Sequence, residues 1–538
     1  MRVQLGASIL VVWGASAAVA AEDAADRVRF EAVRRFADNV LEKGRDHYGL
    51  QPTPLLVDGV NVDSGEGVTW KYKKQTWTVC DPANHHQLYR VLVSLTNLTG
   101  DKHYRAAAEA EWRYLLAHYA DQNGLLKWGG HRLIDLRTGK VRGEQDSHEF
   151  KCNYPYYAFL WETDPAATER FVKAFWNAHV LDWRTPDMNR HGSYDHPLGK
   201  LWQSEYEPGE VFFVGKGLTF VNAGSDLIYA AGCLYKFTGD RGALDWAKRL
   251  AQRYVEARDP HTHLGAYQYS RIQKDRAFQD LGGKFPQALE GKVLDPGRTE
   301  TIYGHAAIAQ LRLAEMLGDD GKDFLQWTRE GLLALARHDY DPRTNLLRGM
   351  LTDGTIVRPE DVRSGGYYSP SVFKPQRAGS LLLVSYALAC RLTGDEMLWP
   401  TTRAMARHGG LGDWGAQCGK DVRVNLTTDN ADPHALFALL EVCRWKPHPD
   451  YLALARRIGD NIIAQRFIKG FFLPGPDYLN ASVNATEPLA LLSLEAAIRG
   501  QPQLVPAYCA GRGYIHGPHD GMGRTYDSAA IYSKKRGE

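Results

Sequence analysis

Ser225–Arg258 reads SDLIYAAGCLYKFTGDRGALDWAKRLAQRYVEAR. An apolar run from Ser225 to Phe237 meets the turn Thr238-Gly239-Asp240 and passes into a charged, amphipathic run from Arg241. Gly supplies a left-handed C-cap and Asp the next N-cap, so the stretch predicts two helices joined by a tight turn. The same punctuation recurs at Thr99-Gly100-Asp101, Glu162-Thr163-Asp164, Leu317-Gly318-Asp319 and Thr393-Gly394-Asp395, with weaker copies at Pro447-His448-Pro449-Asp450 and Arg499-Gly500-Gln501. Seven apolar helices are expected before these turns, at 84–98, 153–162, 225–237, 303–317, 378–392, 434–445 and 486–499. The helices after them carry more charge, as in Lys102–His118 and Arg241–Arg258. A hairpin of this length cannot bury its apolar face alone and must stack on its neighbours. The expected fold is all-α dominated: an (α/α)7 toroid of helical hairpins, with an early helix at 25–47 closing the outer ring.

Connections from each outer helix to the next inner one are long: 121–152, 182–224, 259–302, 338–377, 409–433 and 466–485. They must emerge at one end of the ring, with some short strands among them. Long loops on a rigid scaffold are where function concentrates.

The chain begins Met1-Arg2, followed by an apolar run from Ile9 to Ala20 that ends in the A-x-A sequence Ala18-Val19-Ala20. Residues 1–21 are read as a signal peptide and 22–538 as a single catalytic barrel, exported to the periplasm or secreted. No later stretch is apolar enough to span a bilayer. The net charge of +2 gives no support for a nucleic-acid partner, and a monomer is expected. Seven cysteines without a C-x-x-C spacing define no disulfide framework; Cys233, Cys390 and Cys443 fall in apolar helical patterns and read as core thiols. P-loop, dinucleotide-binding and nucleophile-elbow motifs do not occur.

Within the long loops, Asn189-Arg190-His191-Gly192 places a guanidinium beside an imidazole, and His131 and Glu149 lie upstream. Two imidazoles and one carboxylate suit a divalent first-row cation with open positions. His131 and Glu149 sit in the first long loop and Arg190 and His191 in the second, so adjacent loops can bring them together. Other candidates are His261-Thr262-His263, the helix-opening pair His85-His86 with one ring toward the cavity, and His516 and His519. His148 is an alternative to Glu149, although neighbours on an extended strand point oppositely. Lys151, Lys216, Arg271, Lys374 and Arg377 are candidates for binding an anionic substrate. Trp128, Trp202, Tyr267, Tyr367 and Tyr368 either stack on sugars or pack loops onto the ring. Glu205, Glu207 and Glu210 keep a glycoside hydrolase open.

The segment Phe175–Trp183 leading into Asn189-Arg190-His191-Gly192 is similar to the corresponding region of the pectate lyases of polysaccharide lyase family 2, in particular its exopolygalacturonate lyases. The resemblance extends over most of the chain in length and helical rhythm and is most specific over 120–220. It implies an (α/α)7 barrel that cleaves polygalacturonate or oligogalacturonate by β-elimination. It also implies Arg190 as the base and His131, Glu149 and His191 as ligands of Mn²⁺, with Co, Ni, Zn or Ca as alternatives. An exported hydrolase acting on acidic oligosaccharides and a noncatalytic sugar-binding protein are the other readings.

Overall fold

Six of the seven expected hairpins form in the computed structural model, and the turn at Arg499-Gly500-Gln501 is followed by no second α-helix; the structure describes residues 24–143, 146–212, 217–270, 276–281, 283–511, 513, 517–518, 525–526 and 529–537. The leader read at 1–21 and His516 and His519 lie outside the described residues. The ring helices are α1 (Ala24–Lys43), α2 (His86–Thr99), α3 (His103–His118), α4 (Tyr157–Thr163), α5 (Pro165–His179), α6 (Val221–Thr238), α7 (Arg241–Glu256), α8 (Ala307–Leu317), α9 (Lys322–His338), α10 (Ser380–Thr393), α11 (Trp399–His408), α12 (Pro433–Trp445), α13 (Pro449–Arg466) and α14 (Glu487–Ile498). Seven of these are inner helices: α2, α4, α6, α8, α10, α12 and α14. Around the inner ring α6 packs on α4 and α8, α10 on α8 and α12, and α14 on α12 and α2. Tyr89 of α2 meets Phe159 of α4, with ring centroids 5.3 Å apart. α1 packs on α13 and α14 and is the outer partner of the last inner helix.

The turns work as their residues dictate. Gly100, Gly239 and Gly394 cap α2, α6 and α10 in the left-handed region, at φ 79°, 74° and 67°. Asp240 then accepts from Gly242 N at 3.0 Å and Asp164 from Ala167 N at 3.0 Å. The turn after α8 departs from the pattern. Gly318–Gly321 form an extra 3₁₀ turn, so Asp319 does not cap α9. Asp320 instead takes the Tyr235 hydroxyl at 2.7 Å and Arg241 at 2.8 Å, an ion-paired use of the two added residues.

After α14 the chain does not start another outer helix. Leu504 O accepts from Asn97 at the end of α2. Tyr508 O then accepts from Arg312 of α8, and the Tyr508 ring stacks on Phe437 of α12 at 4.3 Å. Ala510 O meets His305 Nδ1 at 2.7 Å, just ahead of α8. Residues 504–511 therefore run back inside the ring, from its short-turn end to its long-loop end.

At the long-loop end a four-stranded antiparallel sheet runs β1 (Thr69–Tyr72), β2 (Gln75–Cys80), β3 (Arg132–Asp135), β4 (Lys140–Gly143). A short ladder, β5 (Val180–Asp182) with β6 (Asp187–Met188), follows α5. A continuous apolar core extends from Phe30 to Ala510. Cys233 and Cys390 are buried in it as read, while Cys443 is half-buried at its edge.

Candidate metal centre

His131, Glu149 and His191 converge. One ligand atom from each lies within 4.8 Å of the others, the group of this kind found among the described residues. Each is placed by a separate local device. Gly129 and Gly130, at φ 73° and 56°, bring the chain so close to Glu149 that a Cβ on Gly130 would lie 2.5 Å from Glu149 Cβ. His131 follows this turn and leads into β3. Gly129 N donates to Asp81 at 3.0 Å, which ties the turn to the start of the inner ring. Burial pushes Asp81 up to about 8.

Glu149 and His191 meet across a one-residue antiparallel bridge. His148 N donates to Gly192 O at 2.9 Å and Gly192 N to His148 O at 2.8 Å. Residues that flank such a pair project to the opposite face, so Glu149 and His191 share one side and His148 takes the other. His148 is thus no ligand: its Nδ1 contacts His179 Nε2 at 2.9 Å, and His179 Nδ1 contacts Asn189 O at 2.8 Å. Burial holds both rings neutral, with His148 well below its ordinary value and His179 at about 4. Asn189 Oδ1 accepts from His191 N at 3.0 Å, tightening the turn around Arg190. Gly192 is required because the His179 ring occupies the space where its Cβ would be.

Glu149 is fully buried and basic groups surround it. His131 Nε2 lies 3.2 Å away, Lys151 Nζ 3.2 Å, Arg190 Nε 3.4 Å and His191 Nε2 3.6 Å. Burial works against its charge, but the His131 imidazole, Lys151, Arg190 and His191 outweigh it and hold the carboxyl well below the usual range. Burial lowers His191 to about 4, so its imidazole is neutral at pH 7, the form that ligates. Neither Glu149 oxygen nor His191 Nε2 has an aligned hydrogen-bond partner among the described residues. Buried polar atoms in that state are costly. A divalent cation would satisfy all three at once, and the donor set fits one.

The remaining candidates divide. Lys151 joins the cluster. Lys216 and Arg271 fall outside the described residues. Lys374 and Arg377 stand exposed before α10, and neither makes a hydrogen bond or ion pair with the triad. His261 and His263 are exposed. Neither His85 nor His86 faces an open cavity. His85 is buried against Glu111, 3.1 Å away, and His86 Nδ1 accepts from Tyr156 N at 3.1 Å. Trp128, Trp202 and Tyr368 are buried packing residues, whereas Tyr267 is half-buried and Tyr367 exposed. Glu205, Glu207 and Glu210 are exposed. Sequence reading missed Gly129-Gly130, Asp81, His179 and Phe220, over whose ring Arg190 lies at 5.0 Å. The paired glycines before His131 were the one visible signal.

Residues 53–518 match the sequence profile of a family described as periplasmic pectate lyase. The chain belongs to this family of polysaccharide lyases. It is 30% identical over 547 residues to a pectate disaccharide-lyase of Dickeya dadantii (strain 3937), covering 94% of this chain and 96% of that protein. Similar solved structures include a D-mannose isomerase at 15% identity and TM-score 0.43, covering 79% of this chain and 100% of that one. A cellobiose 2-epimerase from Bacillus thermoamylovorans B4167 is 10% identical at TM-score 0.42, covering 72% and 90%. Among the described residues no helix is long and apolar enough to cross a membrane.

Proposed function

We propose that this family member cleaves α-1,4-galacturonan by β-elimination, with Arg190 as the base beside a divalent cation held by His131, Glu149 and His191. The observation that carries the reading is the buried carboxylate with two imidazoles, and a guanidinium and an ammonium against it, assembled from two loops. When bound, the cation, Mn²⁺ first with Co, Ni, Zn or Ca as alternatives, would supply Lewis-acid neutralisation of a substrate carboxylate.

The C5 proton of a galacturonate is acidified by the adjacent carboxylate, and its removal builds negative charge there. Lys151 adds positive charge at that place without reorganising. Lys216, Arg271, Lys374 and Arg377 bind further carboxylates along the chain. Arg190 takes the C5 proton; guanidines in water are protonated at neutral pH, so a base of this chemical type favours a rate that climbs toward alkaline pH. Family membership favours elimination over the hydrolytic and noncatalytic readings. The Dickeya relative's name favours release of an unsaturated disaccharide. The protein is read as a monomer exported to the periplasm.

The test follows ultraviolet absorbance of unsaturated product from polygalacturonate, with sizing of the products. EDTA should abolish the signal and Mn²⁺ restore it. Saturated reducing ends without absorbance would refute the elimination.

A further inference from the structure

Elimination leaves the departing O4 in need of a proton, and Arg190, as base, cannot give one. In a galacturonate the C5–H and C4–O bonds project to opposite faces, so the donor must stand on a different wall from the base. Tyr267 comes from the segment after α7, a different loop from that of Arg190. Its ring packs on Phe220 at 5.6 Å, and Phe220 also carries the Arg190 guanidinium at 5.0 Å. Phe220 thus contacts both side chains, which come from different loops.

The hydroxyls of three tyrosines around Phe220 and the 264–269 segment, Tyr254, Tyr269 and Tyr303, are already engaged. Tyr254 donates to Phe220 O at 3.2 Å, Tyr269 accepts from Ala266 N at 3.0 Å and Tyr303 accepts from Gly265 N at 3.0 Å. The half-buried Tyr267 makes no side-chain hydrogen bond among the described residues. Burial raises its phenol, so it keeps its proton, while the nearby Arg190 and Arg298 pull the other way. Arg298 is fixed there by Asp295 at 2.5 Å and by the rings of Tyr368, Tyr367 and Tyr267 at 4.7, 5.7 and 5.8 Å. A phenolate formed in passing would have guanidinium charge beside it.

We propose that the Tyr267 hydroxyl is the proton donor to the leaving oxygen, an inference that rests on the elimination read above. Arg190 takes the C5 proton, and the C5–H electron pair becomes the C4=C5 double bond. The C4–O4 bond breaks with its pair going to oxygen, and O4 takes the phenolic proton. The phenolate is reprotonated from water and Arg190 returns its proton to solvent, so the enzyme is unchanged.

Tyr267→Phe is compared with wild type on two substrates: an oligogalacturonate, and a galacturonide with fluorine at C4, whose fluoride leaves without protonation. The variant should lose about 10²–10⁴-fold in kcat on the oligogalacturonate. Fluoride release should stay within a few-fold of wild type, and bound metal should be unchanged. Equal losses on both substrates, or no loss on either, would overturn the assignment and leave the elimination standing. A wild-type protein that makes no unsaturated product from polygalacturonate would instead sink the elimination reading, and this assignment with it.

Discussion

Gly192→Ala probes the device that presents His191. The new Cβ would lie 2.5 Å from both Cδ2 and Nε2 of His179 and 3.1 Å from its Cε1. That ring cannot step aside freely, because its two nitrogens are engaged by His148 at 2.9 Å and Asn189 O at 2.8 Å. Overpacking costs about 1–3 kcal/mol, and the two contacts about 0.5–1.5 kcal/mol each, so the expected loss of stability is about 2–6 kcal/mol. Relief by shifting the 190–192 turn would displace His191 and weaken metal binding by about 10–100-fold, as losses of ligand-orienting contacts do. Denaturant unfolding of the metal-free protein and calorimetric titration with Mn²⁺ read the two effects separately. Gly209→Ala is the control, since a Cβ there meets nothing within 4 Å. If the two variants match in both measurements, the His148–His179 pair does not hold the site.

Arg190→Lys keeps the positive charge but loses the planar fork, so kcat should fall by about 10²–10⁴-fold with metal content unchanged; near-normal turnover would make Arg190 a substrate clamp. His179 and His191 are lowered from 6.5 to about 4, so between those values the unfolded chain binds more protons than the folded one. The metal-free protein should therefore lose stability as pH falls from about 6.5 to 4, and His179→Gln should flatten the urea midpoint against pH; an unchanged slope would argue that His179 is not held neutral. Ending the chain at Arg499 removes the segment inside the ring and leaves Phe437, Arg312 and His305 without Tyr508 and Ala510. That truncation should bind a hydrophobic dye and lose cooperative unfolding, whereas full cooperativity would show that the ring stands without it.

The repeat was legible because it is local: an apolar run, a Gly C-cap and an Asp N-cap act within a few residues, and each predicted inner helix formed within a few residues of its expected bounds. The same locality made the ligand types visible, since imidazole, carboxylate and guanidinium declare their chemistry in any context. That Glu149 and His148 point to opposite faces also followed from sequence, through strand alternation; which of them faces His191 did not. Tertiary structure decided what depends on distant partners. The pair His85-His86 read as a helix start with one ring toward the cavity, whereas Glu111, on the next helix, holds His85 in the interior. Trp128 and Trp202 suited sugar stacking and loop packing equally by sequence, and the fold encloses both. The passage of residues 504–511 inside the ring left no mark in the sequence, because such a segment needs only small and apolar residues that suit any core. The low-lying charge of Glu149 belongs to no single residue: it arises where two loops, 40 residues apart at Glu149 and Asn189, set one buried carboxylate among four basic groups.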